Sequence, residues 1–90
     1  MEHGITCEHV TSATECEFAA QKLGLSDGTM EDDGRNGDTR YPPFCYNERG
    51  NSLKFNRWGT NTGMCALNKQ CLCRQSAMDQ DIGEFSDGLL

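Results

Sequence analysis

Six cysteines stand at positions 7, 16, 45, 65, 71 and 73 of a 90-residue chain, and four of them crowd into residues 41–74, YPPFCYNERGNSLKFNRWGTNTGMCALNKQCLCR. A dense, even set of cysteines in a short chain reads as a disulfide framework. Such a framework belongs to an oxidising compartment, because cytosolic thiols are kept reduced. The chain also needs staples. At this length it is one domain, and a folded chain so small buries only roughly 60–65% of the surface its unfolded form exposes. Its hydrophobic fraction is 36%, low for a domain held by its core alone, and disulfides or a metal ordinarily supply the remainder.

The best-signalled element is a helix over residues 13–23. Ser12 is an N-cap residue and Glu15 stands three positions later, the pattern of a capping box. Cys16, Ala19, Ala20 and Leu23 fall at helical spacing and make one narrow apolar face. Gly24 supplies a left-handed residue to close the helix, with Leu25 folding back on Ala20. Phe18 lies on the opposite face, where the loop after the helix or the C-terminal tail is expected to cover it. Residues 26–40, SDGTMEDDGRNGDTR, then form a loop with three glycines and four aspartates. A connection this long in a compact domain is functional, disordered or tied down by something else.

Pro42-Pro43 enforces extended backbone and opens the sheet region. Residues 44–47 and 53–56 read as a hairpin closed through Gly50. Phe44 and Tyr46 share one face of the first strand, and Leu53 and Phe55 share one face of the second. Residues 70–74 make a third strand, with Cys71 and Cys73 on one face and Leu72 on the other. A short strand within residues 3–10 precedes the helix. The expected fold is therefore α+β: one helix packed on a three- or four-stranded antiparallel sheet, with three disulfides. It spans residues 1–75 and leaves 76–90 as an acidic, loosely held tail, docked at most through Ile82 and Phe85.

Six cysteines allow fifteen connectivities, and sequence alone does not choose among them. Cys71 and Cys73 point the same way from one strand, so they go to different partners. Cys65 and Cys71 bracket a five-residue turn, ALNKQ. Cys16 faces the core from the helix, within reach of Cys45. These hints favour Cys65–Cys71, Cys16–Cys45 and, as the remainder, Cys7–Cys73. Zinc is the rival use, but Cys71-Leu72-Cys73 is the one short ligand pair, where structural zinc sites show two. His3, Cys7 and His9 read as solvated groups near a terminus. As a redox pair, Cys71 and Cys73 sit in a strand, away from the helix N-terminus that lowers a thiol pKa. The segment DDGRNGD at 32–38 departs from a calcium loop at the third position and has Pro43 where the twelfth-position glutamate belongs. That leaves an irregular calcium site against a solvated acidic turn. No metal and no cofactor are expected.

The net charge of −6, with eight basic residues of which no two adjoin, argues against nucleic acid and against an anionic membrane surface. No apolar run approaches the ~20 residues that span a bilayer. No leader is readable in MEHG, so secretion implies a removed targeting segment or a domain of a longer protein. No nucleophile–base pair is readable, and an enzyme is not expected. The candidate binding residues are Trp58, Tyr46, Arg57 and Tyr41, the aromatics and cation of a platform flanked by Asn56 and Asn61. Two uses compete for them: anchors for a protein partner in a larger assembly, or a stacking platform for a glycan. The bland alternative is that the rings fill a core short of large apolar side chains.

The succession TSATECEFAAQKLGL, DDGRNGD, YPPFCY, LKFN, TNTGMC and CLCR resembles a cysteine-rich module found in uncharacterised secreted and surface proteins of microalgae and related protists. The resemblance covers residues 4–75. It implies an extracellular or cell-surface module, or one in an oxidising lumen, that serves as a building block of larger proteins. It brings no catalytic residues with it.

Overall fold

The computed structural model describes the main chain of residues 5–77 and 80–88, and the side chains of residues 8–75 and of Phe85. The elements run β1 (Ile5–His9), α1 (Ala13–Lys22), β2 (Glu31–Asp32), β3 (Phe44–Glu48), β4 (Ser52–Asn56), β5 (Lys69–Ala77) and β6 (Gln80–Gly88). The fold is α+β, a helix on one face of a mixed sheet. Among the described residues no helix is long and apolar enough to cross a membrane.

The ends of α1 follow from its sequence. Ser12 Oγ accepts a hydrogen bond from Glu15 N at 3.1 Å. The second half of the expected capping box is replaced, because the Glu15 carboxylate turns instead to Arg74 on β5, with Nη1 3.1 and 2.9 Å from its two oxygens. At the other end Gly24 has φ +72°, Gly24 N donates to Gln21 O at 3.1 Å, and Leu25 N donates to Ala20 O at 3.0 Å. That pair of bonds is the Schellman ending. The turn between β3 and β4 has positive φ at both Arg49 and Gly50, the signs of a type I′ turn, whose twist matches that of the flanking strands.

Long strand β5 organises the sheet. Its Lys69, Gln70 and Cys71 pair antiparallel with β3, its Cys73–Ala77 with β1, and its Cys71–Ala77 with β6. Since β6 overlaps both other partners in register, it takes one edge of β5, and β1 and β3 share the other. The sheet departs from the expected one in two ways. It is mixed, because β2 runs parallel to β4 through Glu31↔Lys54 and Asp32↔Phe55; two residues carry no periodicity, so only pairing reveals them. The second departure is at the C-terminal end. Residues 80–88 form β6 and pair along β5, where a loosely held tail was expected. Acidic, Gly-containing sequence hides a strand whose bonds are made by the main chain. Phe85 packs edge-on against Phe18 with centroids 5.7 Å apart. The tail therefore covers Phe18 in part, as expected, and leaves it 51% exposed. The side chain of Ile82 lies outside the described residues.

On the helix side, Val10, Cys16, Ala19, Ala20, Cys45, Leu53, Phe55 and Leu72 form the core. Alanines on the inner face of α1 let it sit close, and the Cys16–Cys45 disulfide joins it to β3 across a Cα–Cα distance of 5.6 Å. Cys65–Cys71 closes the turn before β5, as the spacing suggested. Cys73 is also disulfide-bonded, but the expected partner Cys7 has its side chain outside the described residues. Disulfide-bonded cysteines of this kind are compatible with an oxidising environment.

Candidate functional site

Among the described residues the opposite face of the sheet carries no helix. Residues 28–30 of the 26–40 loop lie against α1 and the helix-side core, and from Asp33 onward the loop covers the opposite face. Its centre is Asp33. Oδ1 accepts from Arg35 N at 3.0 Å and Asn56 Nδ2 at 3.3 Å, while Oδ2 accepts from the Tyr46 hydroxyl at 2.9 Å and Asn61 Nδ2 at 3.1 Å. Arg35 Nη1 donates to the Tyr46 oxygen at 3.2 Å. Asn56 Nδ2 also donates to Arg35 O at 2.7 Å, and its Oδ1 accepts from Asn61 N at 3.0 Å. Asn61 Nδ2 donates to Pro42 O at 3.1 Å, and its Oδ1 accepts from Asp38 N at 2.9 Å. Both amides are buried, and each of their polar atoms has a partner, the condition on which buried polar groups are tolerated. Burial and the Asp33 carboxylate push the Tyr46 phenol well above its ordinary pKa, so it stays protonated and donating.

Two more aspartates hold the loop. At its start, beside α1, Asp27 ties it to β4, accepting from Leu53 N and Thr29 N, each at 3.0 Å, and these two main-chain donors lower its pKa. Asp38 accepts from Arg40 N at 2.8 Å and from its guanidinium, and the Arg40 side chain lowers its pKa. Two glycines permit close approach. A Cβ at Gly63 would lie 2.4 Å from Tyr41 N, and one at Gly59, where φ is +65°, would lie 2.2 Å from Phe44 Cζ. Phe44 itself holds φ +64°, an uncommon conformation for a bulky residue. Its ring packs against His9 at 5.7 Å, whose buried Nδ1 has no hydrogen-bond partner among the described residues. Burial lowers the His9 pKa.

The four candidate binding residues separate into two groups. Tyr46 is fully buried and is corrected from a binding residue to a core residue, because its hydroxyl is the donor that Asp33 needs. Tyr41 sits over it, ring centroids 6.1 Å apart, with the Arg35 guanidinium 3.7 Å from the Tyr41 centroid. Trp58 is 58% exposed, on the turn after β4. The Arg57 guanidinium lies 4.5 Å from the Trp58 centroid, and Arg57 Nε is 3.8 Å from Asp32 Oδ2. Among the described residues no ring contact joins Trp58 to either tyrosine, so the two-ring platform with Tyr46 does not form. Phe55 lies in the core and Phe44 is packed against it.

Asn56 and Asn61, expected beside a ligand, are internal fasteners. Asp33 carried no distinguishing signal in the sequence. The one available hint was Tyr46, which shares a strand face with few apolar neighbours and needs a polar partner when buried. Among the described residues no group of three or more His, Cys, Asp or Glu is placed to hold a metal ion. The loop aspartates that resemble a calcium segment accept main-chain hydrogen bonds: Asp32 from Gly34 N at 3.2 Å, Asp33 from Arg35 N and Asp38 from Arg40 N. No family model, curated protein or solved structure matches this chain.

Proposed function

We propose that the chain is a non-catalytic interaction module, a building block of an extracellular or cell-surface assembly, that docks a protein partner through Trp58 and Arg57. The observation that carries this reading is an exposed tryptophan on a turn that is itself locked. Gly59 N donates to Asn56 O at 3.0 Å, Asn61 N to Asn56 Oδ1 at 3.0 Å, and Gly37 N to Thr60 Oγ1 at 3.1 Å. A preorganised anchor loses less entropy on binding, and Trp and Arg are the residue types enriched at the energetic centres of interfaces. The polar cluster around Asp33 spends its bonding capacity internally, which favours a structural over a catalytic role. The disulfides are compatible with the oxidising compartment that this reading requires.

Trp58→Ala and Arg57→Ala are the test, applied to protein purified oxidised. Both variants are expected to keep the parent's disulfides and melting temperature while losing retention by the native assembly. Folded variants retained as well as the parent would refute the docking role. Loss of retention on a polysaccharide matrix instead would favour the glycan reading, for which a single ring, with the Arg57 guanidinium stacked on it, is available.

A further inference from the structure

We infer that Asn36 is a site of spontaneous succinimide formation, and that the Thr60 hydroxyl restrains it. Asn36-Gly37 is the one Asn-Gly pair in the chain. Asn36 is exposed, and its amide has no hydrogen bond among the described residues. Gly37 has no side chain to shield its nitrogen, and the space where a Cβ would stand is open. Asn56 and Asn61 differ in each respect: they are buried, bonded at every polar atom, and followed by Arg57 and Thr62.

The step balances with water as the co-reactant. Gly37 N gives up its proton to solvent base and attacks Asn36 Cγ. A C–N bond forms, the Cγ–Nδ2 bond breaks, and Nδ2 leaves as ammonia after taking a proton from solvent. Water then adds to one of the two carbonyls of the five-membered imide and cleaves its C–N bond, giving aspartate or isoaspartate. In the fold the nucleophile is occupied: Gly37 N–H donates to Thr60 Oγ1 at 3.1 Å, and attack requires that bond to break.

The product alters the layer that covers Tyr46. Isoaspartate routes the main chain through the side-chain carbon and adds a negative charge. On either side stand two latches, Arg35 O accepting from Asn56 Nδ2 and Asp38 N donating to Asn61 Oδ1. A lengthened main chain between them displaces both, so the modification is a slow, one-way release of the loop from the Asp33 cluster.

The experiment incubates the oxidised full chain at mildly alkaline pH and follows each asparagine by peptide mapping. Asn36 is expected to convert ahead of every other asparagine, with isoaspartate among the products. Thr60→Val is expected to accelerate Asn36 about two- to tenfold, the factor equivalent to one lost hydrogen bond, while Thr60→Ser keeps the parent rate and Asn36→Gln abolishes the reaction. Asn36 persisting while other asparagines convert would overturn the site. A Thr60→Val rate equal to the parent's would overturn the restraint. An acceleration that extends to Asn56 and Asn61 would mean general unfolding and would also count against it.

Discussion

The Tyr46 hydroxyl donates to Asp33 Oδ2 at 2.9 Å from a fully buried ring, and this bond joins the sheet to the loop layer that covers it. Tyr46→Phe keeps the ring and removes the donor. Because the acceptor is charged, the expected loss is about 1.5–3 kcal/mol of unfolding free energy, read from urea denaturation. Asp33→Ala removes the acceptor of the Tyr46 hydroxyl and one of the two bonds of each of Asn56 Nδ2 and Asn61 Nδ2, and should cost more than Tyr46→Phe. Equal costs for the two would mean that the cluster is not a cooperative unit.

The glycines should rank by contact. Gly63→Ala places a Cβ 2.4 Å from the Tyr41 main-chain nitrogen, where no flexible side chain can yield, and is expected to cost about 1–3 kcal/mol. Gly59→Ala adds a left-handed φ to a clash with the Phe44 ring and should cost at least as much. Gly50→Ala meets no atom within 4 Å and bears only the left-handed conformation, about 1–2 kcal/mol. Thermal midpoints that place Gly50→Ala below Gly63→Ala would contradict the packing of the Gly63 turn on Tyr41.

Two pH windows are expected in stability. His9 has its pKa lowered from 6.5 by burial, so the unfolded chain binds its proton first. Its stabilising share is complete above 6.5 and declines as pH falls through the folded value. Asp27 and Asp38, lowered from 3.8 by their hydrogen-bond donors, contribute above that value and lose their share as pH falls further. Denaturation midpoints measured from pH 7.5 to 3 should show both declines. His9→Phe should remove the upper one and leave the lower one, and a His9→Phe profile parallel to the parent's would refute the assignment.

The two described disulfides should differ in worth. Cys16–Cys45 spans 29 residues and Cys65–Cys71 spans 6. On loop-closure entropy, replacing the first pair by alanine should cost about 3–4 kcal/mol and the second about 2 kcal/mol. Chemical denaturation of the two double variants tests the order, and the reverse order would show that loop-closure entropy does not set their relative worth.

Features decided by neighbours in the chain were legible in the sequence. The helix starts at a Ser12 cap and ends at Gly24 because those side chains act within one turn. The hairpin closes through Gly50 because its turn needs positive φ. Cys65 and Cys71 pair because a five-residue turn brings them together, and Cys16 meets Cys45 because the apolar face of the helix has one sheet to cover. What tertiary structure decided is which polar groups go inside. Asp33 meets Tyr46, Asn56 and Asn61 across sequence separations of 13, 23 and 28 residues. No periodicity marks such partners, since a hydrogen bond needs two groups at one place in space, not a pattern along a strand. The same absence of pattern hid β2 and β6, whose main-chain pairing is indifferent to side-chain chemistry. It also left Tyr46 and Trp58 indistinguishable as candidate anchors until a loop of aspartates and glycines folded over one ring and left the other in solvent.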